Sequence, residues 1–332
     1  MPERFFDLKG AALAVSATEP ELLELFGKLL ADAGSTLPLS PPCFRLRLLT
    51  GEVASIPAGA TILSDGPVLD EGRCIAAQLG GQVIHLLPGI ASLQLSIADR
   101  SAIIVVAPHE RRRVAMNLGM LALEAALRAS GQVPIHAAGL TLPDGRIVMI
   151  IGQSGAGKTT AALALGGAGF GLCSDDLVIC RVVGDDVTAW SLPRALKVHR
   201  RTASMLPWTA PLLVGEWSDE DEKALPLAHL RDAIRVEDST PRPVAAICLL
   251  DRSERATSEL RPAGQAELLG VAAADHLRTS SIGVIAGHAG HLAALAAVVR
   301  RVPTHRLVAG ADPADLGAVL TGGLQAAAPG DC

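Results

Sequence analysis

The segment that most constrains this chain of 332 residues is Gly152-Gln153-Ser154-Gly155-Ala156-Gly157-Lys158-Thr159, which follows the phosphate-loop pattern G-x-x-x-x-G-K-S/T. Glycines at these positions let the backbone wrap inward, so that successive N–H groups point at one anion. The flanking sequence fits. Arg146–Ile151 is an apolar, β-branched run that predicts a strand, and Gly157–Leu165 is predicted to be helical. A helix that starts behind such a loop adds the positive end of its dipole. Gly152, Ser154, Gly155, Ala156, Gly157, Lys158, Thr159 and Thr160 are therefore the candidate phosphate contacts. The pattern gives Lys158 the β- and γ-phosphates and Thr159 a magnesium ion.

A phosphate loop does not say what happens to the phosphate. The second signal is Ser174-Asp175-Asp176, just before a predicted strand at Leu177–Val183. Adjacent carboxylates beside a nucleotide can divide the labour, one holding Mg²⁺ and one taking a proton from an acceptor hydroxyl. A solvated Asp-Asp turn is the competing reading. The third signal is His136 in the apolar run Pro134–Gly139. By itself, a histidine there reads as a satisfied core residue.

Composition excludes several classes. The chain is 49% hydrophobic and 19% charged, too apolar to remain disordered. It is only 2% aromatic, has no tyrosine, and carries 29 Lys+Arg against 34 Asp+Glu, which argues against a single-strand nucleic-acid binder. Plentiful Ala, Leu, Val and Gly suggests helices packed closely on a parallel sheet. With so few rings, a bound nucleotide base is expected to rest on aliphatic side chains or arginine rather than on a ring stack. Cys43, Cys74, Cys173, Cys180, Cys248 and Cys332 show no C-x-x-C spacing and are expected as reduced core thiols. Met1–Leu8 lacks an apolar core, so no signal peptide is expected, and the apolar window Ile282–Val299 carries His288 and His291 and reads as a buried helix with its loop. The expected location is the cytoplasm.

The sequence divides near Gly131. Residues 1–131 read as a mixed α/β module: a helix at Pro20–Asp32, strands near Phe44–Leu49, Gln82–Leu87, Leu93–Ile97 and Ala102–Ala107, then a long helix at Arg112–Ala129. The basic cluster Arg111-Arg112-Arg113 and the acidic run Ser218–Glu222 both read as solvated faces. Further strands are expected at Val133–Ala137, Val244–Leu250 and Thr304–Val308, helices at Ala289–Arg300 and Ala314–Leu320, and a tail from 323 to 332.

Ile135-His136-Ala137, the loop Gly152–Thr159, Ala168-Gly169-Phe170 and Cys173-Ser174-Asp175-Asp176 together resemble the C-terminal kinase domain of the HPr kinase/phosphorylase family and its relatives. The likeness runs over about 132–322 and is specific over Ile135–Ile179. Weaker matches are Pro193–Lys197, Asp221–Lys223 and Val302–Leu307. The resemblance implies an α/β P-loop kinase domain of the phosphoenolpyruvate carboxykinase type, preceded by a smaller mixed α/β N-terminal domain that could dock an acceptor or partner. It implies ATP and Mg²⁺ as cofactors and transfer of the γ-phosphoryl group to a serine hydroxyl. Lys158 and the loop bind phosphates, Thr159 and Asp176 hold the metal, Asp175 is the base, and His136 lines the site. Arg194, Lys197 and Arg306 are candidate substrate or phosphate contacts, with ion-paired surface roles the equal alternative. The family's E-x-R-G-x-G signature is not found downstream, which argues against a phosphorylase reaction and against HPr as substrate. Relatives of this divergent kind accompany peptide-modification systems, including lasso-peptide clusters. The expected partner is thus a peptide or protein acceptor, with a homo-oligomer allowed and no nucleic acid or membrane. A small-molecule kinase and a regulatory ATPase without transfer remain the alternatives.

Overall fold

The computed structural model describes residues 1–30, 34–35, 43–68, 72–192, 194–279 and 288–327. Pro193, Cys332, the start of the Ile282–Val299 window, the end of the tail and the side chains of Arg111-Arg112-Arg113 lie outside the described residues. The chain divides into two units. One contains Met1–Pro134, and the other contains Ile135–His276 and resumes at Ala293.

The first unit is one sheet with helices. Its strands are β1 (Glu3–Asp7), β2 (Ala12–Ala17), β3 (Gly34–Ser35), β4 (Cys43–Thr50), β5 (Thr61–Val68), β6 (Gly72–Leu79), β7 (Gln82–Leu87), β8 (Ala91–Ser96) and β9 (Ser101–Val106). Their order is β3-β1-β2-β4-β9-β8-β7-β6-β5. Among the described strands, β2 pairs with β4 and β4 with β9 in parallel. Helix α1 (Pro20–Lys28) ends short of the expected Asp32 and buries Leu22, Leu23 and Phe26, with Phe26 edge-on to Phe6. Helix α2 (Arg111–Ala129) follows the sheet.

Strand β10 (Gln132–His136) leads into the second unit. That unit's sheet is built from β11 (Ala138–Thr141), β12 (Ile147–Ile151), β13 (Gly171–Ser174), β14 (Leu177–Val183), β15 (Asp186–Ser191) and β18 (Arg242–Arg252), in the order β14-β15-β18-β12-β11-β13. Strand β20 (Thr304–Ala309) pairs with β18, and β19 (Glu259–Pro262) with β20. A separate ribbon is made by β16 (Leu196–His199) and β17 (Glu222–Leu225). The helices from here on are α3 (Lys158–Gly167), α4 (Arg200–Met205), α5 (Leu227–Ala233), α6 (Gln265–Thr279), α7 (His288–Arg301) and α8 (Leu316–Ala327), with α6 from Leu277 on and α7 up to Leu292 counted to the first unit.

The parallel sheet expected from composition is corrected here: both sheets are mixed. In the second unit, β12 pairs with β18 and β18 with β20 in parallel. The β14–β15 hairpin and the β11–β12 pair are antiparallel, as short turns require, and β15–β18 is antiparallel across a long connection; composition carries no strand direction. Every residue of β12, Ile-Val-Met-Ile-Ile, is buried, as a strand covered on both faces requires. Above it α3 buries Leu163 and Leu165 among Val148, Ile150, Cys248 and Leu307. Each such side chain contributes roughly 1.5–3 kcal/mol by leaving water. Cys74, Cys173, Cys180 and Cys248 are buried free thiols, while Cys43 is half-buried.

One glycine fixes how β13 approaches the site. A Cβ on Gly171 would collide with Glu237 Oε1, Thr141 Oγ1 and Arg235 Nε. Those atoms already form a polar cluster, in which Thr141 Oγ1 donates to Glu237 Oε1 (2.5 Å) and the Arg235 guanidinium donates to Thr141 Oγ1 (2.9 Å). Gly171→Ala is therefore expected to destabilise the protein by about 1–3 kcal/mol. Denaturant unfolding at unchanged slope measures this, and an unchanged midpoint would show that the cluster yields freely.

Candidate active site

The site begins where β12 stops. Gly155 (φ 78°) and Gly157 (φ 100°) adopt left-handed backbone that L side chains resist, and Gly157 caps the start of α3. A Cβ on Gly152 would stand 3.3 Å from the Leu250 carbonyl, so the loop can also pass close to β18. Ser154 and Gly155 are exposed at the loop's crest. Lys158 is the opposite, only 8% exposed, and its Nζ donates to the Gly152 carbonyl at 2.9 Å. The lysine thus folds back over its own loop. Thr160 Oγ1 lies 2.7 Å from the buried Thr202 Oγ1. From the neighbouring strand, Arg252 Nε donates to the Ala156 carbonyl at 2.8 Å.

The two aspartates lie in the connection from β13 to β14. Ser174 Oγ accepts from the N–H groups of Asp176 (3.2 Å) and Leu177 (3.1 Å), a side-chain turn that fixes the pair. Thr159 Oγ1 donates to Asp175 Oδ2 at 2.8 Å. Asp176 instead meets His136, whose Nε2 is 3.2 Å from Asp176 Oδ1. The connection is tied to His136's strand by the Ala137 N–H, which donates to the Asp176 carbonyl at 3.1 Å.

Their electrostatics diverge. Burial pushes the Asp175 carboxyl up to about 6, with the Thr159 hydroxyl pulling it down and the charge of Asp176 pushing it up further. Asp176 is held below the usual carboxylate range, first by its hydrogen bond to His136 and then, against burial, by the charges of His136, Arg194 and Lys158. Since the Asp176 side chain is 64% exposed, the His136 contact rather than burial governs it. Burial lowers the Arg194 guanidinium, and both aspartates oppose that shift.

Around these groups is a cavity of about 780 Å³. Among the expected loop contacts, Ser154, Gly155, Gly157, Lys158, Thr159 and Thr160 line it; so do His136, Asp175, Asp176, Arg194 and Lys197. Arg306 does not. On β20 it is ion-paired with Asp251 of β18 and Glu267 of α6, which is the ion-pair alternative to a phosphate contact. The acidic run at Ser218–Glu222 is more than a solvated face. The β16–β17 ribbon sets His199 opposite Glu222, whose carboxylate lies 3.3 Å from His199 and 3.4 Å from Lys197. Asp221 pairs with Arg200 at 2.9 Å, and the Arg200 guanidinium lies 4.5 Å from the Trp217 ring.

Arg200, Arg201 and Arg252 also line the cavity and were not found from sequence. Arg252 ends an apolar strand beside the loop's own strand, and that position is the one local signal that could have flagged it. Arg201 forms no ion pair among the described residues, and its charge, after burial, lowers the pKa of Arg252.

The oxygen donors present suit magnesium. Thr159 and Asp175 offer a hydroxyl and a carboxylate already in contact, and Mg²⁺ prefers one or two carboxylates plus phosphates and water. Among the described residues no group of three or more His, Cys, Asp or Glu could hold a metal unaided. No described helix is long and apolar enough to cross a membrane.

No protein-family model and no curated protein matches this chain. Among solved structures, the Hpr(Ser) kinase/phosphatase from Coxiella burnetii aligns with 58% of this chain and 97% of its own length, at 14% identity and a TM-score of 0.32. A likeness that slight carries no function across.

The Asp175 shift has a consequence for stability. With a folded pKa near 6 instead of 3.8, the stability that its protonated form confers is complete below 3.8 and is lost as pH rises through about 6. Asp175→Asn keeps an acceptor for Thr159 and removes the ionisation. In protein without added metal or nucleotide, its unfolding midpoint is expected to exceed wild type by more at about pH 7.5 than at about pH 4.5, by on the order of 1 kcal/mol after solvent screening. A difference independent of pH would show that Asp175 ionises normally.

Proposed function

We propose that the second unit is an ATP-dependent kinase that transfers the γ-phosphoryl group to a hydroxyl, with a serine of a peptide or protein as the acceptor class. The observation that carries this reading is the pairing of Thr159 with Asp175 beside the buried Lys158, while Asp176 turns away to His136 within the same cavity. A binding loop alone has no need of a second carboxylate kept ionised on its far side.

In this reading Ser154, Gly155, Gly157 and the first amides of α3 seat the phosphates. Lys158 leaves the Gly152 carbonyl to reach the β- and γ-oxygens. Thr159 and Asp175 are the residues that would hold magnesium, which would supply charge neutralisation to the phosphates. Asp176, ionised at neutral pH, accepts the acceptor's proton as its oxygen attacks the γ-phosphorus. The bond to the β-phosphate oxygen breaks, leaving a phosphoester and a nucleoside diphosphate. His136 positions Asp176. This exchanges the two roles that the resemblance implied, Asp175 moving to the metal side and Asp176 to the acceptor side. Arg194 and Lys197 lie where phosphate or acceptor charge would pass. Arg306 is left out.

The serine and the peptide are what the family resemblance implies, and phosphorylation of a candidate peptide panel tests them. Asp176→Asn is expected to lower kcat by about 10²–10⁴-fold while leaving nucleotide affinity within about threefold. Lys158→Ala is expected to weaken nucleotide binding itself. Full transfer by Asp176→Asn together with loss in Asp175→Asn would restore the reverse assignment. Steady ATP hydrolysis with no phosphorylated product across the panel would instead indicate a regulatory ATPase.

A further inference from the structure

A second cavity, of about 190 Å³, adjoins the first: Gly157, Thr160, Arg201, Met205 and Arg252 line both. Its remaining walls are largely aliphatic, including Ala161, Ala309, Ala311, Pro313 and Leu316, with Glu254 at its edge. It lies at the carboxyl ends of the three parallel strands: the loop follows β12, Arg252 ends β18 with Ser253 just after it, and Ala309 ends β20 with Gly310 and Ala311 just after it. Crevices at such ends are where open α/β sheets bind ligands.

The walls are fastened. Ser258 Oγ donates to Asp315 Oδ1 (2.5 Å) and its N–H to Asp315 Oδ2 (2.7 Å), while the Gly310 N–H donates to Ser258 Oγ (3.0 Å). The Ser253 N–H donates to the Ala309 carbonyl and the Ala311 N–H to the Arg255 carbonyl, each at 2.8 Å. These bonds tie the segments after β18 and β20 to each other. Arg252 is likewise fixed by its bond to Ala156.

We propose that this second cavity takes the base of a nucleoside triphosphate whose phosphates occupy the glycine loop, so that the donor is a nucleotide rather than an inorganic polyphosphate. The inference rests on the phosphate-loop reading above. A polyphosphate chain entering the aliphatic walls would lose its hydration with little in return, whereas a planar heterocycle gains by leaving water there. A guanidinium beside it can stack on a ring face, which replaces the aromatic partner that the cavity lacks. A ligand running from the loop to this cavity must cross Gly157 and Thr160, where the first turn of α3 and Arg201 meet its phosphates.

Calorimetric titration of the full chain with magnesium ATP and with magnesium tripolyphosphate tests this. ATP is expected to bind at least tenfold more tightly than tripolyphosphate. Ala311→Phe, an exposed position whose new ring enters the cavity, is expected to bring that ratio close to one, while Ala311→Gly keeps it. Equal affinities in the wild type, or a ratio untouched by Ala311→Phe, overturn the base cavity and leave the kinase reading standing. Binding of neither ligand overturns both. An unchanged melting curve for the Phe variant separates cavity filling from misfolding.

Discussion

The burial of Lys158 is the constraint on which the site depends. An ammonium taken out of water must be met by nearby acceptors and negative charge, or its desolvation outweighs what the fold gains. Here it is met by the Gly152 carbonyl, which only a loop wrapped back on itself can offer, and by the charge of Asp176. The wrap depends on left-handed backbone at Gly155 and Gly157 and on a close pass over Leu250, hence on β12 and β18 lying side by side. The parallel pairing of β12, β18 and β20 brings their loop ends together, so the same arrangement that accommodates the lysine also builds the cavity walls around it.

The contrast between Asp175 and Asp176 follows from the bend between β13 and β14, held by Ser174 Oγ, which gives the two neighbouring carboxylates different partners. One carboxylate faces Thr159 and the α3 terminus, the other His136. Chemistry then separates them. Asp175 is buried with a neutral hydroxyl as its partner, so its charge is disfavoured and a cation beside it would relieve the strain. Asp176 has an imidazole and two more distant cations, so its charge is favoured. The environment of each residue, rather than its type, assigns the proposed work.

Much of the site's core could be read from sequence because it is local. The strand, loop and helix around Gly152–Thr159 are contiguous, and Asp175, Asp176 and His136 sit in short apolar runs whose period marks them as strand ends. The strands Gln82–Leu87 and Leu177–Val183 carry the same kind of signal and lie where it placed them. What could not be read depends on pairing between distant segments. Lys197 and His199 meet Glu222 only because β16 and β17 form a ribbon, and no composition rule gives that register. Arg252 joins the loop through β18, and nothing in its neighbours announces that strand's parallel partner. Arg306 is the opposite case. Its charge drew attention, but at its position on β20 the side chain meets Asp251 and Glu267 instead of the cavity. Strand direction was also invisible: apolar content predicts that a strand is buried, not which way it runs.

Charge is distributed against the chain's own average. The net formal charge is −5, yet Lys158, Arg194, Lys197, Arg200, Arg201 and Arg252 gather at one cavity with Asp175, Asp176, Asp221 and Glu222. Beyond a screening length of about 8 Å at physiological salt, an anionic ligand feels little of either pattern. Capture therefore depends on short contacts. Asp221 and Glu222 engage Arg200, Lys197 and His199 at the outer side, whereas Arg201 forms no ion pair among the described residues and Arg252 bonds a carbonyl rather than a carboxylate. The positive charge least compensated by carboxylates thus stands beside the loop and the second cavity. In the proposed reading, an extended anion places its charged end in the loop, with its terminal phosphate toward Asp175 and Asp176.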